Sequence, residues 1–600
     1  MLSLKRLSIL LLLISTLASL LPFPQTARAQ DLVSSEDVAS GSSVFVFRES
    51  RKKPQARSSS GRVAVGGGRA RSLRTNAQIA AAARKRRAAA IAARKRAAVA
   101  AANRKIAMSN MLTAKAETFL DNNQTDLAVT NYRDALIQNP KNASAAEGLS
   151  NALTAKGIDA AGETNSETAI PYFEEAVKLD KKNDVAYAKL GAIFDAKGDK
   201  AKAKGNYESA VAINPELSNL YPPLGILYID GGEVAKAENC LQKSETSGLD
   251  NVEVRFLSGL VLFKQNKNAE ALAAFDHTLE LDKSFAPASY YRGQVLDRMG
   301  QTDQAIKAYQ KTIEIEPSNT AASFDLGVEY YNKGDYNNAA LSYQHTIQYD
   351  SGNSQAHANL ASTYRQLERF ADANAEYKIA STGIKNADLY SEWGYCLGKT
   401  SEWDKSTARL KTAEEMSPSA IDNSNLGWAY YNTANNKVAA KDDAAAKTNY
   451  EAGKIVLQKA VEQDPKLDAA YLNLGSTYNG LGDFRAAVEV LQTAINLHQN
   501  WAVAMNQLGF GYRGLNNLTN AIATFNQVVN LDGRNTYGLY NLGEAYYASG
   551  NKKEARKVND RLRKIDPVLA TRLDNVIAGR VVDAAKQKVE QKIKIPKIPF

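Results

Sequence analysis

Side chains able to do covalent or acid–base chemistry are sparse in this 600-residue chain. The four histidines are His277, His345, His357 and His498, and the two cysteines are Cys240 and Cys396. Imidazoles and thiolates hold zinc or pass protons only where several converge. The two cysteines are 156 residues apart, so they form neither a CxxC pair nor a disulfide framework, and buried unpaired thiols are expected. No H-E-x-x-H, G-x-S-x-G or Walker-type lysine motif occurs, and Gly66-Gly67-Gly68 lacks the strand–loop–helix setting of a phosphate loop. The reading is therefore no enzyme, no cofactor and no metal. The rival, an enzyme with its site in insertions near 157–166 or 435–448, has only Asp442 and Asp443 as adjacent acids in the second of these. What remains is recognition chemistry. Asn359, Asn425, Asn473, Gln507 and Asn541 each stand two residues before a Gly or Ala. An amide donates and accepts at once, so a row of amides can hold an extended peptide by its backbone.

Those amides belong to a larger pattern that must position them. A Gly or Ala recurs every 34 residues at 191, 225, 259, 293, 327 and 361. Three residues on come Phe194, Tyr228, Leu262, Leu296, Tyr330 and Tyr364. An alanine follows at Ala203, Ala237, Ala271, Ala305, Ala339 and Ala373, then a bulky group at Tyr207, Leu241, Phe275, Tyr309, Tyr343 and Tyr377. With Gly191 as position 8, positions 4, 7, 8 and 11 share one helical face, and positions 20, 24 and 27 share a face of a second helix. Gly198, Gly232, Asn266, Gly300 and Gly334 fall at the turn between them, where a helix ends in left-handed backbone. Small residues at 8 and 20 let the helices approach, and large ones at 11 and 24 fill the gaps. One pair cannot bury its apolar face alone, so stacking is required.

The period and spacing resemble the tetratricopeptide repeat (TPR). The resemblance implies an all-α, right-handed superhelical solenoid of about thirteen helix-turn-helix repeats over 107–567. The first repeat uses Ala116, Ala128 and Tyr132. The second carries about seven extra residues, read as a longer loop around Gly157–Ser166. The ninth is slipped by one residue, and the tenth holds about 14 extra residues that lengthen its helices. Segment 568–600 is read as a capping helix and tail, with Leu569, Leu573, Val576 and Ile577 facing the last repeat. In an array with axes about 8–10 Å apart, His277 and His345, two repeats apart, are too distant to share a metal.

The resemblance also implies that the first helices line a concave groove through positions 2, 5, 6, 9, 12 and 13. The amide row is position 6. Phe324 and Tyr540 fall at position 5, Trp428 at 9, and Tyr331, Tyr431, Tyr547, Arg365 and Arg513 at 12. Tyr, Trp and Arg are the side chains that most often carry binding energy. Lys399 and the two arginines are candidate partners for acidic side chains. The expected function is a scaffold that binds a peptide or protein segment. The alternative is a cell-wall or carbohydrate-binding factor, because aromatic grooves also stack sugars.

Ahead of the repeats, residues 1–29 read as a signal peptide. Lys5 and Arg6 precede the apolar run Leu7–Leu21, and Ala27-Arg28-Ala29 offers a cleavage site. The run is short for a membrane span, and an exported chain, periplasmic or secreted, is expected. Residues 48–106 carry 18 basic groups against Glu49 alone, which accounts for the net charge of +11 and leaves the rest of the chain net negative. Segment 30–106 is read as disordered or at most transiently helical. Its alanine-rich part would form a positive rod without an apolar stripe, carrying Arg84, Lys85, Arg86 and Arg87, then Arg94, Lys95 and Arg96. Such clusters suit polyanions or anionic surfaces by charge alone. Without interleaved aromatics, base stacking and sequence-specific nucleic-acid binding are not indicated.

Overall fold

The computed structural model describes residues 74–163 and 166–579. The signal-peptide reading of 1–29, the tail up to residue 73 and the terminal segment from 580 lie outside the described residues. Those described form 27 α-helices and no strand. They are thirteen helix pairs followed by Pro567–Ile577, which caps the last pair. The chain divides into two compact units, one ending at Ile315 and holding the first six pairs, the other beginning at Glu316.

The notch-and-knob pairing expected from the period is what joins each pair. A Cβ added at Gly191 would lie 2.5 Å from the Tyr207 ring, and one added at Gly259 or Gly327 would meet Phe275 at 2.5 Å or Tyr343 at 2.6 Å. A side chain at position 8 would thus occupy the space filled by position 24. Gly394 stands in the same relation to Leu410, in the slipped ninth repeat. In the N-terminal unit one continuous apolar cluster runs from Ala116 to Val295. Leu573 of the final helix packs over Gly543 and is fully buried, as a cap requires.

Both insertions resolve into helix. The tenth pair is Ala420–Ala439 and Asp443–Gln463, each about two turns longer than its neighbours. Its extra residues lengthen the helices, as expected, and they divide evenly between the two. The second repeat corrects the sequence reading. Its first helix is Ala143–Glu163, and Gly157 lies inside it, against the Phe173 ring. Seven residues are close to two helical turns, so the insert keeps the apolar face in register instead of forming a loop. Earlier on the same helix, the Ser150 and Thr154 hydroxyls tie it to the next repeat. Asn183 caps the next helix through Ala186 N–H and donates to Ser150 Oγ at 2.8 Å and Thr154 Oγ1 at 2.9 Å. Asn142 repeats this with Ser109 and Thr113.

A second correction concerns the basic segment. From Arg74 onward it is not disordered but one α-helix of 48 residues, Arg74–Asp121, whose C-terminal part is the first helix of repeat one. No Gly or Pro interrupts it, Ala and Arg are strong helix formers, and packing from Ser109 onward supplies a formed turn from which it propagates.

The inter-helix turns hold left-handed residues, including Gly198, Gly232, Asn266, Gly300 and Gly334 as expected, and also Glu368 at φ 57°. A left-handed non-glycine costs about 1–2 kcal/mol, partly offset by the greater unfolded-state entropy of glycine. Glu368→Gly is therefore expected to stabilise the C-terminal unit by about 0.5–1 kcal/mol, measured by urea denaturation. Both cysteines are free and buried. Burial pushes the Cys240 thiol up to about 11 and the Cys396 thiol higher still. Neither is expected to react with a disulfide reagent at pH 8 in the native protein, and both should react once it is unfolded in urea, because the thiolate is the nucleophile.

Candidate partner-binding face

The residues expected to line a groove lie on first helices of the C-terminal unit, in the stretches 320–332, 354–366, 420–439, 468–481, 502–514 and 536–548. The structure divides them into two groups. The amide row is buried: Asn359, Asn425, Asn473, Gln507 and Asn541 are each at most 7% exposed. Asn359 accepts from Gln355 Nε2 at 3.0 Å and donates to the Tyr343 hydroxyl. The Gln507 side-chain carbonyl accepts from Asn479 Nδ2 at 3.1 Å, and the same amide donates to the Gln507 backbone carbonyl. That contact bridges the first helices of repeats eleven and twelve. Part of the row thus works inside the stack.

Three of the aromatics are also packing residues. Phe324 meets Tyr343 edge-on with ring centres 5.7 Å apart. Trp428 lies between Tyr395, at 6.1 Å, and Trp403, at 5.3 Å. Tyr431 packs on Tyr450, at 6.0 Å.

Tyr331, Arg365, Arg513, Tyr540 and Tyr547 keep part of their surface exposed. The two arginines are already engaged within the chain. Arg365 Nη2 donates to Glu392 Oε1 at 3.3 Å, and the other Glu392 oxygen accepts from the Ser362 hydroxyl at 2.5 Å and from Tyr377. Burial is the largest single influence and disfavours the Arg365 charge, but Glu392 together with Tyr377, Tyr331 and Cys396 outweighs it and holds the guanidinium above its ordinary value. Gln366 donates to the Tyr331 hydroxyl alongside. Arg513 pairs with Glu544, which also accepts from the Tyr540 hydroxyl at 3.0 Å. Burial, then the Glu544 charge, raises Tyr540. Lys552 Nζ sits 5.7 Å from the Tyr547 ring centre, and Lys399 lies over Phe370 and Tyr395. The structure therefore assembles two polar nodes, Tyr331–Arg365–Glu392 and Arg513–Tyr540–Glu544.

The sequence reading missed both glutamates. Glu392 did carry a signal. It stands two residues before Gly394, where other repeats have an amide.

Among the described residues, no group of three or more His, Cys, Asp or Glu side chains is placed to hold a metal ion. His357 Nδ1 faces Glu376 and His498 Nδ1 faces Asp468, each a pairwise contact between neighbouring elements. No described helix is long and apolar enough to cross a membrane. The basic clusters Arg84–Arg87 and Arg94–Arg96 lie on the Arg74–Asp121 helix, where every residue from 81 to 108 is exposed.

Models of the tetratricopeptide repeat match residues 113–164, 223–284, 324–382 and 507–570, residues 185–217 and 468–500, and residues 286–319, together more than half of the chain. No curated protein matches it in sequence. Among solved structures the chain is similar to the MamA protein, at 27% identity over 28% of this chain and 92% of that one, with a TM-score of 0.23. It is similar also to YrrB, described as a TPR protein with an unusual peptide-binding site, at 21% identity over 31% of this chain and 95% of that one, TM-score 0.24. A tetratricopeptide repeat protein from Parabacteroides merdae matches at 18% identity over 40% of this chain and 97% of that one, TM-score 0.28.

Proposed function

The chain belongs to the tetratricopeptide repeat family, and on that premise we propose that it is an exported, non-enzymatic scaffold. It holds a peptide or protein segment against the first helices of its C-terminal unit, while its basic N-terminal region attaches to something anionic. The observation that carries the groove reading is the pair of polar nodes, in which Tyr331, Tyr540 and Arg513 remain partly exposed on first helices. A large, stiff aromatic with a polar tip contributes binding area at little entropic cost. Export rests on Lys5 and Arg6, the apolar run and the A-x-A site before Gln30.

A photo-crosslinker placed at Tyr547, at Tyr331 and, as a control, at the exposed Leu341 on a second helix tests the groove. Capture of a defined protein from the first two sites and not from Leu341 is the expected result. Equal capture from all three, or capture only of glycan, overturns it. Mass spectrometry of the cell-envelope and secreted fractions is expected to find a mature chain beginning at Gln30. A chain retaining residues 1–29 in the cytoplasm overturns the export reading.

A further inference from the structure

The basic region, proposed to meet something anionic, is helical from Arg74 onward. The helix narrows what that is, and the following rests on that reading. Three basic bands lie along it: Arg84 to Arg87, Arg94 to Arg96, and Arg104 with Lys105. No acidic residue occurs on the helix before Glu117. At 1.5 Å per residue the bands follow one another at about 15 Å. Because successive residues are turned by about 100°, the four residues of the first band go all the way round the axis, and the second band covers most of a turn. Every residue from 81 to 108 is exposed, so no side of this rod is used for packing.

A rod charged on all sides is poorly matched to a flat anionic surface, which meets only the groups on one side and leaves the rest unpaired. It also has little apolar surface to insert. Ile91 and Val99, at 55% and 59% exposed, are the large apolar groups between the first and third bands. A second copy of the same rod is excluded by like charge. A flexible chain of closely spaced negative groups, in contrast, can pass round the rod and meet each band in turn. The bands are also continuous in one helix with the first repeat, so a bound polymer would be held at a fixed distance from the repeats rather than on a loose tether.

We infer that the Arg74–Asp121 helix is a docking rod for a linear polyanion, held by the bands around its circumference. The shared ligand chemistry is a flexible backbone with one phosphate or carboxylate per repeat unit.

The test uses the full mature chain. Binding of a fluorescein-labelled single-stranded oligothymidylate is followed by anisotropy against salt. Inorganic polyphosphate and polygalacturonate are the competing arms that separate phosphate from carboxylate sources, and vesicles of phosphatidylcholine with phosphatidylglycerol run in parallel. On a flexible single strand each neutralised charge contributes about 0.7 to the slope of log K against log salt. Changing Arg94, Lys95 and Arg96 to Gln is therefore expected to lower that slope by about 2. Removing the four-residue band should lower it by about 3, and removing Arg104 and Lys105 by about 1. Glutamine keeps the helix, which circular dichroism checks. Displacement by either polymer supports the inference and names the source. Vesicle binding without polymer binding overturns the rod and leaves the attachment reading standing. Slopes unchanged by band removal overturn the rod, and no binding to either overturns both. None of these outcomes alters capture at Tyr547, which reports on the groove.

Discussion

Phe275→Ala is expected to destabilise the N-terminal unit by about 3–5 kcal/mol. The Phe275 ring is fully buried and shared between repeats. It covers Gly259 of its own pair, and it stacks on Tyr291 of the following repeat, with centres 5.8 Å apart and planes at 19°. Phe256 lies 5.9 Å away on a third side. Truncation leaves a void that cannot collapse, because Gly259 has no side chain to move into it and the helices that frame it are held by neighbouring pairs. The cost is therefore transfer free energy plus a cavity. Phe275→Leu should recover most of the loss, because Leu410 and Leu491 fill the same position in other repeats. Urea denaturation measures the total. Hydrogen exchange locates it, because a repeat stack unfolds by local steps, and faster exchange is expected in helices 252–264, 268–281 and 286–298. A loss below about 1 kcal/mol would mean that the pair closes on itself, and the notch-and-knob account of stability would fail.

The notch-and-knob account was legible because it is local. Gly327 and Tyr343 are 16 residues apart in one pair, and the 34-residue period places every such pair alike. The turn residues were legible for the same reason. The ladder of amides was read only in part. Whether position 6 faces a groove or the next helix depends on how closely successive first helices approach, and no period encodes that distance. Asn479 reaching Gln507 is the result of a close approach. The arginine partners were hidden for a related reason. Glu392 is 27 residues from Arg365, and Glu544 is 31 from Arg513, so no fixed spacing pairs them. The second-repeat insert was misread from composition. Glycine and threonine suggested a loop, but a seven-residue insert costs a helix almost nothing in register, and Gly157 serves as the notch for Phe173. The basic segment was read only in part: its alanine and arginine content pointed to a helical rod, but the scarcity of large apolar residues pointed to disorder, and only the fusion to a packed helix makes the helix continuous from Arg74.

Glu392→Gln is expected to cost the C-terminal unit about 3–5 kcal/mol, the usual penalty for leaving a buried charge without its partner. Arg365 has only 9% of its side chain exposed, and Glu392 has 19%. Removing the carboxylate charge strands the guanidinium and weakens the acceptor of Ser362 and Tyr377 together. The loss should persist in molar salt, because a buried pair is little screened. Arg365→Met with Glu392→Leu removes both charges and fills the space with apolar groups, so the double variant is expected to recover most of the loss. A double-mutant cycle in urea separates the pair from its surroundings. The same variants also bear on the groove. An acidic side chain on a partner could use Arg365 only by displacing Glu392, so Glu392→Gln should tighten binding of an acidic segment even as it weakens the fold. If the variant instead binds no tighter, Arg365 is committed to holding repeats eight and nine together. Partner recognition would then have to rest on Tyr331 and on the Arg513–Tyr540–Glu544 node.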